Sequence, residues 1–255
     1  MESPSLPWNA AHYPELEPGG GLAAALERAL EPLWPGASVP RLEPPFLAMA
    51  DVRAQGRMAN LTLATGERRF LLELRSLGVA YGAGGTTSLP DVARAITLFV
   101  RDSASVAAVR AAAPWLKFSD LAVAHEAGPA AFVTHAWKTL SATLDKEPRA
   151  SALRGLIPLV EACRARPRLR ALLPLAAGDR LSFSRTTGYP YLTDCPTARH
   201  LGKTRFAVYG APPSGHTLGE GDAAKVAEVI EQHLPPGCGP AVQGTAQDAV
   251  PGRRR

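Results

Sequence analysis

The chain has 255 residues, of which 46% are hydrophobic and 20% charged, and a formal net charge of +5. That length buries enough apolar surface for one large domain or two small ones without disulfide or metal staples, and that composition excludes wholesale disorder. Three of the positive charges are the terminal Arg253, Arg254 and Arg255, and the remainder lacks the interleaved basic and aromatic face expected of a nucleic-acid binder.

Residues 1–20 hold four prolines and run into Gly19-Gly20-Gly21, the composition of a disordered arm. Leu22, Leu26, Leu30 and Leu33 then recur at helical spacing up to the Pro32 and Pro35 breakers, and residues 35–48 read as a proline-rich connection. From Met58 the period changes to two on either side of Thr65-Gly66-Glu67, which predicts a β-hairpin, with a third short strand around Val79 to Tyr81. The glycine-rich "GAGG" reads as a turn before a helix capped by Ser88 and Asp91, whose stripe is Val92, Ile96, Phe99 and Val100.

Residues 103–175 carry no strand signal and read as a helical insert. One helix runs from Ser119 to Gly128. The next starts at Pro129 and presents Phe132, Val133, Ala136, Trp137, Leu140 and Leu144 on one face. In "RARPRLR", Arg164 and Arg166 fit the last turn of a helix through Leu153, Val160 and Cys163, where positive charge offsets the dipole. Period two returns at "RLSFS", is expected to continue through "YPYLTD", and pairs with "TRFAVYG" before a helix with Val226, Val229, Ile230 and Leu234. "GTTSLPDVARAI" and "GHTLGEGDAAKVAEVI" echo one another, each a turn and an amphipathic helix after a strand-rich segment.

The expected fold is α+β, a single domain over 21–240. Two strand-plus-helix halves, 58–102 and 180–235, form mostly antiparallel sheet around the 103–175 insert, and 241–255 form a disordered tail.

Several of these segments resemble an actinobacterial family of uncharacterised domains described only as natural product biosynthesis proteins. The blocks that carry the likeness are "GTTSLPDVARA", "AHEAGPAAFVTHAWKTL", "RLRALLPL" followed by "LSFSRTTGYP", "HTLGE" and "LPPGCGPAVQGTA", in that order. The resemblance implies an intracellular bacterial protein associated with secondary-metabolite gene clusters. It implies no reaction and no cofactor.

Cys163, Cys195 and Cys238 are odd in number, widely spaced and free of any CxxC pair, which argues against a disulfide framework and a structural zinc. A reducing cytosol is expected. The start has no basic and apolar leader pattern, and no run reaches the roughly 18 apolar residues of a membrane span, so neither export nor insertion is expected.

Two sets of residues carry candidate chemistry. Cys195 is a candidate nucleophile with His200 or His216 as base and Asp194 or Glu220 to orient it, since a thiol needs a neighbouring imidazole to ionise near neutral pH. Arg185, Tyr189 and Tyr191 share one parity, so an unbroken strand would set a guanidinium between aromatic rings for a planar carboxylate ligand, with His216 nearby. No metal site is expected, as neither HExxH nor two histidines at i, i+4 occurs.

Two functions follow. One is a small-molecule binding or tailoring protein with a pocket lined by Arg185, Tyr189 and Tyr191. The other is a non-catalytic protein-interaction or immunity-like module with a flat exposed sheet face.

Overall fold

The structure is a computed structural model that describes residues 8–16, 20–43, 46–148 and 151–249. Its secondary structure is mixed, with two five-stranded antiparallel sheets, each ordered as its strands occur in the chain, and helical segments between them. The chain divides into two compact units, Met1–Glu126 and Ala127–Arg255. The helical stretch expected over 103–175 is shared between them: α-helices up to Glu126 belong to the first unit and those after it lead into the second sheet.

In the first unit, helix α1 (Gly21–Leu30) buries Leu22, Leu26 and Leu30, as their spacing predicts. Strands β1 (Met49–Ala54), β2 (Arg57–Leu63), β3 (Phe70–Ser76) and β4 (Val79–Thr86) form a meander. Two of its turns have two residues each, Gln55-Gly56 and Leu77-Gly78, all at positive φ. That conformation matches the twist of the strands it joins.

The "GAGG" segment is strand rather than turn. Gly82 and Gly84 pair with Phe118 and Leu116 of β5 (Leu116–Phe118), and a Cβ on Gly84 would lie 2.3 Å from the Trp115 carbonyl oxygen. Glycine is what lets the β5 backbone approach. Helix α2 (Leu89–Ile96) is capped by Ser88, whose hydroxyl accepts from the Asp91 amide at 3.3 Å. It continues into a π-helical turn, Thr97–Arg101, that buries Phe99 and Val100. Helices α3 (Val106–Ala112) and α4 (Asp120–Glu126) flank β5.

Residues 8–16 are packed and not an arm, for Trp8, Tyr13 and Leu16 are buried. The Tyr13 hydroxyl sits inside the β2–β3 turn, accepting from the Arg69 amide at 3.0 Å and facing the Ala64 carbonyl at 2.8 Å. An aromatic side chain with its polar tip satisfied fixes this segment although prolines surround it. The rest of the predicted arm, 1–7 and 17–19, lies outside the described residues.

In the second unit, α5 (Pro129–Lys146), α6 (Ile157–Ala165) and the single turn α7 (Pro167–Arg170) lead into β6 (Leu173–Ala177), β7 (Arg180–Ser184), β8 (Thr197–Gly202), β9 (Arg205–Tyr209) and β10 (Thr217–Gly221). Helix α8 (Ala223–Gln232) follows, capped by Asp222 through the Lys225 amide at 2.9 Å.

The core sits between one sheet face and the helices. Leu181, Phe183, Ala198, Phe206 and Val208 are buried from the sheet, as are Trp137, Leu159 and Ile230 from the helices. The Trp137 indole N–H donates to the Arg170 carbonyl at 3.0 Å, and its ring lies 6.2 Å from that of Phe183. Arg166 ion-pairs with Glu231 of α8 at 2.6 Å, so "RARPRLR" ties two helices together.

Candidate functional site

The expected strand through residues 185–191 stops at Ser184. There the Ser184 hydroxyl accepts from the Thr186 amide at 3.0 Å and donates to the Thr186 carbonyl at 2.8 Å, turning the chain out of the sheet. The Thr186 hydroxyl then accepts from the Leu192 amide at 3.1 Å. Side-chain-to-backbone bonds of this kind compete with sheet pairing. The parity argument for Arg185, Tyr189 and Tyr191 fails past that point.

The backbone groups freed by the turn pair with the end of the chain. The Val242 amide donates to the Arg185 carbonyl (2.9 Å), the Thr187 amide to Val242 (3.0 Å), the Gly188 amide to Gly244 (2.7 Å) and the Ala246 amide to Pro190 (2.7 Å). Residues 241–249 are therefore not a disordered tail. They close the loop and end in a short helix, α9 (Ala246–Ala249), while residues 250–255 lie outside the described ones.

Arg185 is occupied. Its guanidinium forms a two-pronged ion pair with Asp194, through Nε at 3.1 Å to each carboxylate oxygen and through a shorter contact from the terminal nitrogen. Both charges of the pair are only about a third exposed, which removes Arg185 as a free carboxylate receptor. Tyr189 is 64% exposed, and its ring meets Tyr191 edge-on at 5.8 Å, with no guanidinium between them. Burial raises the Tyr191 phenol above its ordinary range.

The structure does not bring Cys195 and His200 together. Cys195 is 2% exposed just before β8, and its Sγ lies 3.9 Å from an oxygen of Asp194. His200 lies further along β8, and the extended run from Thr197 to His200 alone spans roughly 10 Å. Its ring sits 3.0 Å from the Lys203 carbonyl and 5.2 Å from Phe206, against Gly155. His216 is exposed in the β9–β10 connection, and Glu220 pairs with Arg205 at 2.7 Å. Among the described residues, no group of three or more His, Cys, Asp or Glu could hold a metal ion.

Two open concavities lie elsewhere, on the sheet face turned away from the helices. One, of about 320 Å³, is lined by Arg180, Thr197, Arg199, Tyr209, Gly210, Pro212 and Gly215. A second, of about 460 Å³, shares Arg180 and Thr197 and extends over β6 to Ser182, Leu175 and Ala177.

Arg180 of β7 stands directly opposite Arg199 of β8. Like charges so placed repel. Asp179, in the β6–β7 turn, lies between them, 2.5 Å from Arg199 and 3.9 Å from Arg180. Its carboxyl is held below the usual range, first by the hydrogen bond from Arg199. One carboxylate for two guanidinium groups leaves a local excess of positive charge, and Arg180 is 64% exposed.

Arg180, Arg199 and Tyr209 are not among the expected site residues, because cross-strand register is non-local. A signal was nonetheless present: Arg180 and Ser182 in "RLSFS" and Thr197 and Arg199 in "TARHLG" take the parity opposite to Leu181, Phe183 and Ala198.

Residues 131–245 match a family of unknown function (DUF6193). The matched stretch lies within the second unit and includes both the closed loop and the arginine-bearing face. No curated protein and no solved structure matches the chain. No helix among the described residues is long and apolar enough to cross a membrane.

Proposed function

We propose that this chain is a cytoplasmic binding protein of bacterial natural product biosynthesis, and that the outward face of the second sheet holds an anionic small molecule. The single observation that carries the reading is the cross-strand pair of Arg180 and Arg199, which shares one carboxylate and lines the first concavity, with Arg180 bordering the second as well. A sheet that sets two guanidinium groups opposite each other loses stability unless an anion joins them. A carboxylate or phosphate ligand would supply the missing charge in two-pronged geometry. Thr197 and Tyr209 would present hydroxyl groups beside it, and the volumes fall in the range of small-molecule sites. The biosynthetic setting rests on the resemblance of the sequence blocks quoted above.

A second reading, an acidic segment of a partner protein, is favoured by one feature: the two concavities share Arg180 and Thr197 and so run together across β6 to β9.

The test is native mass spectrometry on the chain incubated with anion-exchange fractions of a producing culture, repeated with Arg180→Gln and Arg199→Ala. A small acid should be retained by the wild type, and each variant should weaken binding about tenfold or more, the value of one lost charge-assisted bond. Retention should also fall with added salt. Equal retention by wild type and Arg180→Gln would sink the site, whereas an acidic polypeptide in place of a small acid would establish the second reading.

A further inference from the structure

The two concavities on the outward face of the second sheet differ in chemistry. The first has Arg180, Thr197, Arg199 and Tyr209 in its lining. The second is walled chiefly by Pro174, Leu175, Ala176 and Ala177 of β6, none of which has a polar side chain. Of its other residues, Ser182 donates its hydroxyl to the Leu175 carbonyl at 3.3 Å, which turns that polar group towards the backbone. Arg180 and Thr197, the two residues shared with the first concavity, are the polar groups that remain.

The register explains this division. Ala177 stands opposite Arg180 and Leu175 opposite Ser182, so both take the outward parity, while Ala176 pairs with the buried Leu181. Arg180 in turn stands opposite Arg199. A row across three strands therefore runs from a methyl group on β6 to guanidinium groups on β7 and β8. Strand β6 is the last of its sheet, with Leu175 half-buried and Ala177 exposed, and covering them removes apolar surface from water. The charge at the other end is unequally held. Asp179 lies 2.5 Å from Arg199 but 3.9 Å from Arg180, so Arg180, at the boundary between the two walls, has the greater capacity for a further anion.

We infer, on the reading of this face as an anion site, that its ligand is an amphiphilic acid: one carboxylate held at Arg180 and an unbranched aliphatic body lying over Leu175 and Ala177 of β6. From β8 to β6 is two strand spacings, about 10 Å. That is the reach of an extended chain of roughly eight bonds of ~1.5 Å. An inorganic anion would satisfy the arginines and leave the β6 wall in water, and a neutral lipid would do the reverse. A molecule with both parts matches both walls.

The test follows backbone amide shifts of the full chain by NMR during titration with acetate, butanoate, hexanoate and octanoate, which share one charge and differ in aliphatic length. Full burial of a methylene is worth about fourfold in affinity, so on this open face the rise should be about two- to threefold for each. Amides of β7 and β8 should move with every acid, and those of Leu175 to Ala177 with hexanoate and octanoate. 1-Octanol should bind at least about tenfold more weakly than octanoate, for want of the charge-assisted bond. Leu175→Ser should flatten the rise with length and leave butanoate unchanged, whereas Arg180→Gln should weaken every acid by a similar factor.

The wild-type series decides the matter whether or not the variants fold. Equal affinities along the series, with shifts confined to β7 and β8, would overturn the amphiphile and leave the anion site standing. Acids that bind equally well to Arg180→Gln, or 1-octanol that binds as tightly as octanoate, would overturn the anion site and the amphiphile with it. No shift from any acid would also overturn the amphiphile; inorganic phosphate added to the same sample then shows, by shifts at Arg180 and Arg199 or by none, whether the anion site stands.

Discussion

At the scale of single residues, the clearest electrostatic consequence concerns His125 in the first unit. Its Nδ1 lies 2.7 Å from the Tyr81 hydroxyl and the side chain is 3% exposed. Burial, then the charge of Arg57, lowers its pKa below the ordinary 6.5. A second ring proton would charge an imidazole that the fold holds away from water. The unfolded chain therefore takes the proton first, so stability is full above about pH 6.5, declines as pH falls below it, and levels off below the folded pKa. The urea midpoint of the wild type should drop between about pH 7.5 and about pH 5.5 by more than that of His125→Gln. Equal slopes would show that other groups set the acid sensitivity.

At the scale of elements, the glycines of β4 decide whether β5 can pair. A Cβ on Gly84 meets backbone at 2.3 Å rather than the free end of a side chain, so it cannot be relieved by a rotamer change. Gly84→Ala should cost about 2 kcal/mol or more, read as a lowered urea midpoint, with faster exchange at the amides of Lys117 and Ser119, which face β4. Unchanged exchange at those amides would mean that β5 does not depend on this approach.

The same strands mark where the sequence was legible and where it was not. Helices α2, α5 and α8 were readable because spacing and caps are local: Ser88 announces α2, and Pro129 stands at the first position of α5. The hairpin of β2 and β3 was readable for the same reason. Strand β1 offers only Ala50 and Val52 as buried apolar residues, and β5 has three residues, so each takes its identity from a neighbour distant in sequence. The loop after Ser184 misled because its alternation continues in letters after a hydroxyl has already turned the backbone. For the candidate site, Arg185, Asp194 and Cys195 were visible as neighbours in sequence, while the Arg180–Arg199 register and the concavities beside it were not. Only pairing between segments creates them.

For the whole molecule, the division after Glu126 has a chemical basis, since Gly128 takes φ 104° and Pro129 begins α5, so no helix runs through the junction. The stretch that matches a protein family, 131–245, falls wholly in the second unit. That unit has its own complete sheet, capped helices and buried core, which are the requirements for independent folding. Residues 127–255 produced alone should fold and unfold cooperatively in urea. Trp137 is the only tryptophan they contain and is 2% exposed, so its fluorescence reports on that core without interference from Trp8, Trp34 or Trp115. In the full chain, amide exchange on the two sheets should then resolve two opening free energies, one of them matching that of the fragment. A fragment that stays unfolded, together with one common opening energy for both sheets, would mean that the two units fold only as one.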